Sequence, residues 1–130
     1  EELSMRTYQD VESRIQDYYL FEIDGHAVGC VALHLSEDKS SGELACLFVT
    51  CHYENRGIGR KLIGFIEERA RALKLKKIIV LSTQTYTYFK SKGGFVEGSQ
   101  EDLTPERLEK YHQSKRRSRI LVKHLEENKN

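Results

Sequence analysis

Two places in this sequence combine residue type and spacing in a way that chemistry can use. One is Glu43, a single acid opening the nearly continuous apolar run from Glu43 to Thr50. A carboxylate there is costly unless it has a task or a partner. The other is Asn55-Arg56-Gly57-Ile58-Gly59, a glycine-rich turn between that run and a stretch of helical periodicity. A strand that ends in such a turn and opens a helix aims backbone N–H groups and the positive end of the helix dipole at one point, which favours an anion, typically a phosphate. The spacing excludes two familiar phosphate loops. A Walker A loop needs Gly-Lys-Ser/Thr after four intervening residues, but Gly64 is followed by Phe65; the dinucleotide pattern fails because Leu62 stands where its third glycine belongs.

The elements that must position these residues follow from periodicity. Thr7 with Asp10, then Val11, Ile15 and Tyr18, predicts a short amphipathic helix starting near Thr7. Tyr19 to Asp24 alternates, Asp24-Gly25 suits a type I′ turn, and Ala27 to Leu35 resumes a strand, so a β-hairpin is expected. Leu62, Ile66, Ala70 and Leu73 mark one face of a helix after the glycine turn. Lys77 to Ser82 carries Ile78-Ile79-Val80-Leu81 without alternation, as in a strand buried on both faces within a parallel βαβ unit. Tyr86 to Ser91 fits a short helix broken by Gly93-Gly94. Thr104-Pro105-Glu106 caps and opens a helix to about Gln113, and Arg119 to Leu125 reads as a last strand.

The chain has 130 residues, 38% hydrophobic and 32% charged, which fits one soluble globular domain over 1–130 and excludes collagenous, membrane-spanning and disordered classes. Twenty-one Lys and Arg against twenty Asp and Glu leave a formal charge of +1, without the basic excess of a dedicated nucleic-acid binder. No apolar run approaches about 18 residues and no signal segment opens the chain, so a cytoplasmic setting with no membrane partner is expected. Cys30, Cys46 and Cys51 show no C-x-x-C spacing, and His34, His52 and His112 are scattered without metal-ligand spacing, so no metal is expected. Glu1 in place of methionine suggests a domain cut from a longer polypeptide.

Gly57-Ile58-Gly59, after an apolar strand and before an amphipathic helix, resembles the acetyl-CoA pyrophosphate loop of the GNAT N-acetyltransferases, whose pattern is Gln/Arg-x-x-Gly-x-Gly/Ala. Glu54 departs from it, standing where Gln or Arg is usual. A closer resemblance, spanning nearly the whole chain, is to the acetyltransferase domains of the N-acetylglutamate synthase family. It is carried by Met5-Arg6-Thr7, Val28-Gly29-Cys30-Val31-Ala32-Leu33, Gly42-Glu43-Leu44-Ala45-Cys46-Leu47 and Val80-Leu81-Ser82-Thr83. The stretch from Leu103 through Pro105 and Tyr111 to Arg116-Arg117-Ser118-Arg119-Ile120-Leu121 is its most specific part. The resemblance implies an α/β GNAT fold: a mixed, mostly antiparallel sheet, flanked by helices, whose central strands Glu43 to Thr50 and Lys77 to Ser82 run parallel and splay apart around acetyl-CoA.

The activity implied is acetyl transfer from acetyl-CoA to L-glutamate by direct attack in a ternary complex, the first step of arginine biosynthesis. An α-amine is largely protonated at pH 7, so a group must take its proton, and the resemblance makes Glu43 that base. It makes the backbone N–H of Cys46 the donor to the oxygen that gains negative charge, with the Cys46 thiol not a nucleophile. Ser82 matches the position suggested to protonate the departing thiolate, with Thr83, Tyr86 and Tyr88 as rivals. Acetyl-CoA contacts are implied for Leu47, Val49, Arg56, Gly57, Ile58, Gly59, Arg60 and Phe89, Glu54 pointing outward. Guanidinium groups bind carboxylates bidentately, and Arg6, Arg116 and Ser118 match substrate-binding positions. Members of the family commonly carry an amino-acid-kinase-like domain ahead of this one. Acetylation of another small amine and a non-catalytic acetyl-CoA sensor remain the alternatives.

Overall fold

The structure is a computed structural model describing residues 3–9, 16–82, 86–114 and 118–125. Its strands are β1 (Leu3–Gln9), β2 (Gln16–Ile23), β3 (His26–Leu35), β4 (Ser41–Val49), β5 (Lys77–Ser82), β6 (Val96–Glu97) and β7 (Arg119–His124). Three α-helices intervene, α1 (Ile58–Ala72), α2 (Tyr86–Lys92) and α3 (Pro105–Gln113). The described strands form one sheet in the order β1-β2-β3-β4-β5-β7-β6. Only the β4–β5 pair is parallel; the other pairs are antiparallel. This is the mixed, mostly antiparallel sheet with a parallel central pair that the resemblance implies.

The expected β2–β3 hairpin forms, and its turn works as anticipated: Asp24 and Gly25 both adopt positive φ, 51° and 80°, as a type I′ turn requires. The helix expected from Thr7 does not form over the described residues. Thr7 lies on β1 opposite Tyr19, and Tyr18 lies on β2 opposite Ala32; residues 10–15 are outside the described set. The physical reason is sheet pairing. Tyr18, Tyr19 and Phe21 belong to a β-rich segment whose cross-strand partners outweigh a weak local helical spacing.

Alternate strand positions feed two cores. Val28, Val31, Leu33, Leu44, Ile78, Val80 and Leu121 pack with Leu62, Ile63, Ile66 and Ala70 from the apolar stripe of α1. On the other face Ile79, Ile120 and Val122 meet Leu103, Leu108 and Tyr111 around α3. β5 is thus covered on both sides, which explains its unbroken apolar run.

Two irregularities shape the middle of the sheet. The parallel ladder pairs Ser41 with Lys77, Gly42 with Ile78 and Glu43 with Ile79; beyond Glu43 the two strands carry no further pairing and part. On the other edge of β4, Cys30 faces Phe48 while Ala32 faces Ala45. Cys46 and Leu47 therefore stand opposite Val31 alone, which makes a β-bulge. Cys46 takes φ +55° there.

Candidate active site

Glu43 sits at the last paired position of the parallel ladder, in register with His34 on β3 and Ile79 on β5. Leu44 turns into the α1 core, so alternation sends Glu43 to the α3 face. There its carboxylate meets Arg107 of α3, whose Nε donates to Oε1 and whose Nη2 donates to Oε2 at 3.3 Å. Thr104 explains how Arg107 is held. It is the N-cap of α3, its Oγ1 accepts the Arg107 backbone N–H at 3.4 Å, and Pro105 follows at the first helical position. Glu43 and Arg107 line a cavity of about 400 Å³ with His34, Ser41, Lys110 and Ser114 among its other walls. Burial is the main influence on His34 and pushes its imidazole below the usual value; Glu43 pulls it back up, and Arg107 and Lys110 push it down. A neutral imidazole beside the acid is the result.

Three residues along β4, the bulge turns the chain at Cys46. The thiol of Cys30 donates to the Cys46 carbonyl at 3.4 Å, and burial, reinforced by the neighbouring Cys46, holds the Cys30 thiol above its usual value, in its protonated form. Leu47 and Val49 continue β4 along the edge that no longer pairs with β5, and both pack partly against the α1 core. An unpaired strand edge of this kind offers main-chain hydrogen bonds to an extended amide-bearing ligand. Ser82, buried, ends β5 across the gap, opposite Arg119 of β7.

Beyond β4 a short 3-10 turn (Cys51–Tyr53) leads into the glycine loop. Gly57 is the N-cap of α1 with φ +77°, and beyond its chain neighbours no atom of the described residues lies within 4 Å of where a β-carbon would stand. No side chain among the described residues caps this helix. The Lys61 N–H bonds back to the Gly57 carbonyl, so the N–H groups of Ile58, Gly59 and Arg60 have no intrahelical acceptor. Uncapped amides, a left-handed glycine and open space in front of it suit the phosphates of coenzyme A. The Ile58 side chain turns into the core, Arg56 stacks its guanidinium 5.1 Å from the Tyr53 ring centroid, and Arg60 and Glu54 are exposed.

Phe89, expected beside acetyl-CoA, is 3% exposed and packs edge-on against Phe95 in the core. Its neighbour Tyr88 reaches the glycine loop from α2, its hydroxyl lying against Gly59. Arg6 lies on β1, three strands out from β4, or about 14 Å at ordinary strand spacing. The Ser118 carbonyl accepts the Tyr111 hydroxyl at 2.9 Å, and Ser118 lines a different cavity, with Glu97, Ser99 and Arg119. Thr83, within 83–85, and Arg116, within 115–117, lie outside the described residues. Arg107 is the functional candidate that reading the sequence missed, because nothing local connects two residues 64 positions apart.

A family profile described as the acetyltransferase (GNAT) family matches residues 1–92, and the chain belongs to that acetyltransferase family. It is 39% identical over 115 residues to an amino-acid acetyltransferase of Ralstonia nicotianae, covering 88% of this chain and 25% of that protein. It is 32% identical over 120 residues to one of Neisseria meningitidis, covering 92% and 27%. The N-acetylglutamate synthase of Neisseria gonorrhoeae, solved with coenzyme A and N-acetyl-glutamate, superposes with a TM-score of 0.85 at 26% identity, over 98% of this chain and 36% of that one. The chain thus spans about a quarter of the length of the curated relatives it matches. No helix among the described residues is long and apolar enough to cross a membrane.

Proposed function

We propose that this domain transfers the acetyl group of acetyl-CoA to the α-amine of L-glutamate, giving N-acetyl-L-glutamate and CoA by direct attack. The observation that carries the reading is the order of events along β4: Glu43 at the last paired position, then the left-handed Cys46, then a free strand edge running to an uncapped glycine loop. That succession supplies a proton acceptor, a turned backbone amide and a binding edge along one strand. Similarity to a synthase solved with coenzyme A and N-acetyl-glutamate supports the choice of substrates.

In this reading the loop from Arg56 to Arg60 takes the pyrophosphate and the β4 edge at Leu47 and Val49 takes the pantetheine arm. Glu43 receives the ammonium proton, so that a neutral amine attacks the thioester carbon. Negative charge grows on the thioester oxygen, and the Cys46 N–H, fixed by the bulge, stabilises it without reorganising. The C–S bond breaks, the nitrogen gives up its second proton as the amide forms, and the thiolate gains one through the Ser82 hydroxyl at the end of β5, which is reprotonated in turn. Arg6, Arg116 and Ser118 are assigned to the carboxylates of glutamate by resemblance alone, since Arg6 stands three strands from β4 and Ser118 lines the cavity beside Glu97 rather than the one at Glu43.

The test is release of free CoA thiol from acetyl-CoA with L-glutamate, other amino acids, polyamines or no acceptor. Release that depends on L-glutamate is expected. Release with a different amine would keep the acetyltransferase and discard the substrate; binding of acetyl-CoA with no release under any condition would favour a sensor.

A further inference from the structure

We propose that Arg107 is a positioning residue for Glu43, so that α3 forms part of the acceptor side of the active site. The inference rests on the assignment of Glu43 as the base and adds to it a residue from a distant segment. Its grounds are geometric. Both guanidinium contacts are made at once, Nε to Oε1 and Nη2 to Oε2, and a two-point fork fixes the plane of a carboxylate as well as its position. The two side chains are only 30% and 17% exposed, which separates this pair from the mobile surface ion pairs that contribute little. Arg107 is itself anchored, since its backbone N–H is held by the Thr104 cap. The cavity, whose other walls include His34, Ser41, Glu106 and Lys110, leaves about 400 Å³ open beside the pair, room for a small amine to approach Glu43.

The chemistry gives the arrangement a purpose. A glutamate side chain has three rotatable bonds, and proton transfer needs its oxygen within hydrogen-bond reach of the amine. Each carboxylate oxygen has two lone pairs. The fork uses one on each, leaving the others to accept the substrate proton in a fixed direction. Lys110 and His34 border the same space, but neither makes such a two-point contact with the carboxylate among the described residues.

The decisive measurement is a double-mutant cycle on kcat in the full chain, with Arg107→Ala, Arg107→Lys, Glu43→Gln and the Arg107→Ala/Glu43→Gln pair. Arg107→Ala is expected to lower kcat about 10- to 100-fold, the scale on which misplacing a reacting group acts, while the KM for acetyl-CoA stays within about twofold of its starting value, near unity on that scale. Arg107→Lys, which keeps the charge but loses the fork, should recover part of the loss. In the Glu43→Gln background, Arg107→Ala should cost less than about twofold, because a residue acting through Glu43 has nothing left to position. Equal losses in both backgrounds, or no loss from Arg107→Ala alone, would overturn the positioning role. Full kcat in Glu43→Gln would instead overturn the base assignment. Should Arg107→Ala fail to fold, Arg107→Lys measured in the same two backgrounds gives the same cycle.

Discussion

The hydroxyl of Tyr88 lies 2.5 Å from the point where a β-carbon on Gly59 would stand. Gly59 is therefore glycine because α2 closes over the start of α1, not because its backbone needs a positive φ. Gly59→Ala should displace the Tyr88 ring from the loop and raise the KM for acetyl-CoA several-fold with a smaller change in kcat. The next ring atom, Cζ, is 3.4 Å from the same point, an ordinary contact, so Tyr88→Phe should make room. Steady-state kinetics of Gly59→Ala and Gly59→Ala/Tyr88→Phe would check this, and failure of the second change to restore KM would count against it.

Cys46 predicts differently for its side chain and its backbone. Its role in acetyl transfer is assigned to the N–H, so Cys46→Ala should keep kcat within about threefold, well short of the 10²- to 10³-fold cost of losing an oxyanion donor. Cys46→Gly should be neutral or stabilising by about 1 kcal/mol, since glycine accepts the left-handed conformation without penalty. Proline cannot reach φ +55° and has no N–H, so Cys46→Pro should abolish activity. Loss of activity in Cys46→Ala would return the thiol to consideration.

What the sequence disclosed divides along physical lines. Asp24-Gly25, Thr104-Pro105 and Gly57-Ile58-Gly59 were readable because their chemistry is local: positive φ, an N-cap with proline behind it, and amides at a helix start. The buried strand Lys77 to Ser82 was readable because two-sided burial leaves an unbroken apolar run. The bulge at Cys46 was not, because its cause is the offset between Cys30–Phe48 and Ala32–Ala45 across two strands. The helix expected from Thr7 misled at its two described ends, because Thr7 and Tyr18 are taken by cross-strand pairing, with Tyr19 and Ala32. Arg107 and Phe89 illustrate the same limit within the site: which side chain turns toward Glu43, and which of two adjacent aromatics turns inward, is decided by packing alone.

Gly42 makes a prediction about stability next to the site. A β-carbon there would stand 2.6 Å from Leu33 Cδ1 and 2.9 Å from Leu75 Cδ1, both on buried residues. Gly42→Ala should therefore overpack this end of the α1 core and destabilise the domain by about 1–3 kcal/mol. Thermal unfolding should register a drop of several degrees. Gly42 also pairs with Ile78 in the short parallel ladder that ends at Glu43, so kcat should fall along with stability. An unchanged melting midpoint would show that Leu33 and Leu75 yield without cost.

The last prediction concerns pH. Burial first, with Arg107 and Lys110 adding to it against the pull of Glu43, places the His34 imidazole below the ordinary 6.5, and its Nδ1 is buried without a hydrogen-bond partner among the described residues. A group whose folded-state pKa is depressed binds fewer protons folded than unfolded over the interval between the two values. Stability contributed by neutral His34 is therefore complete above the unfolded value and is lost as pH falls through 6.5 toward the folded one. The melting midpoint should decline between about pH 7 and pH 5, and His34→Gln, which cannot take a proton there, should flatten the decline. In Arg107→Ala one of the influences holding the imidazole neutral is gone, so the His34 ring should titrate at a higher pH than in the parent when followed by NMR. A His34 that titrates at or above 6.5 in the parent would mean that the ring is solvated and paired with Glu43 rather than buried beside it.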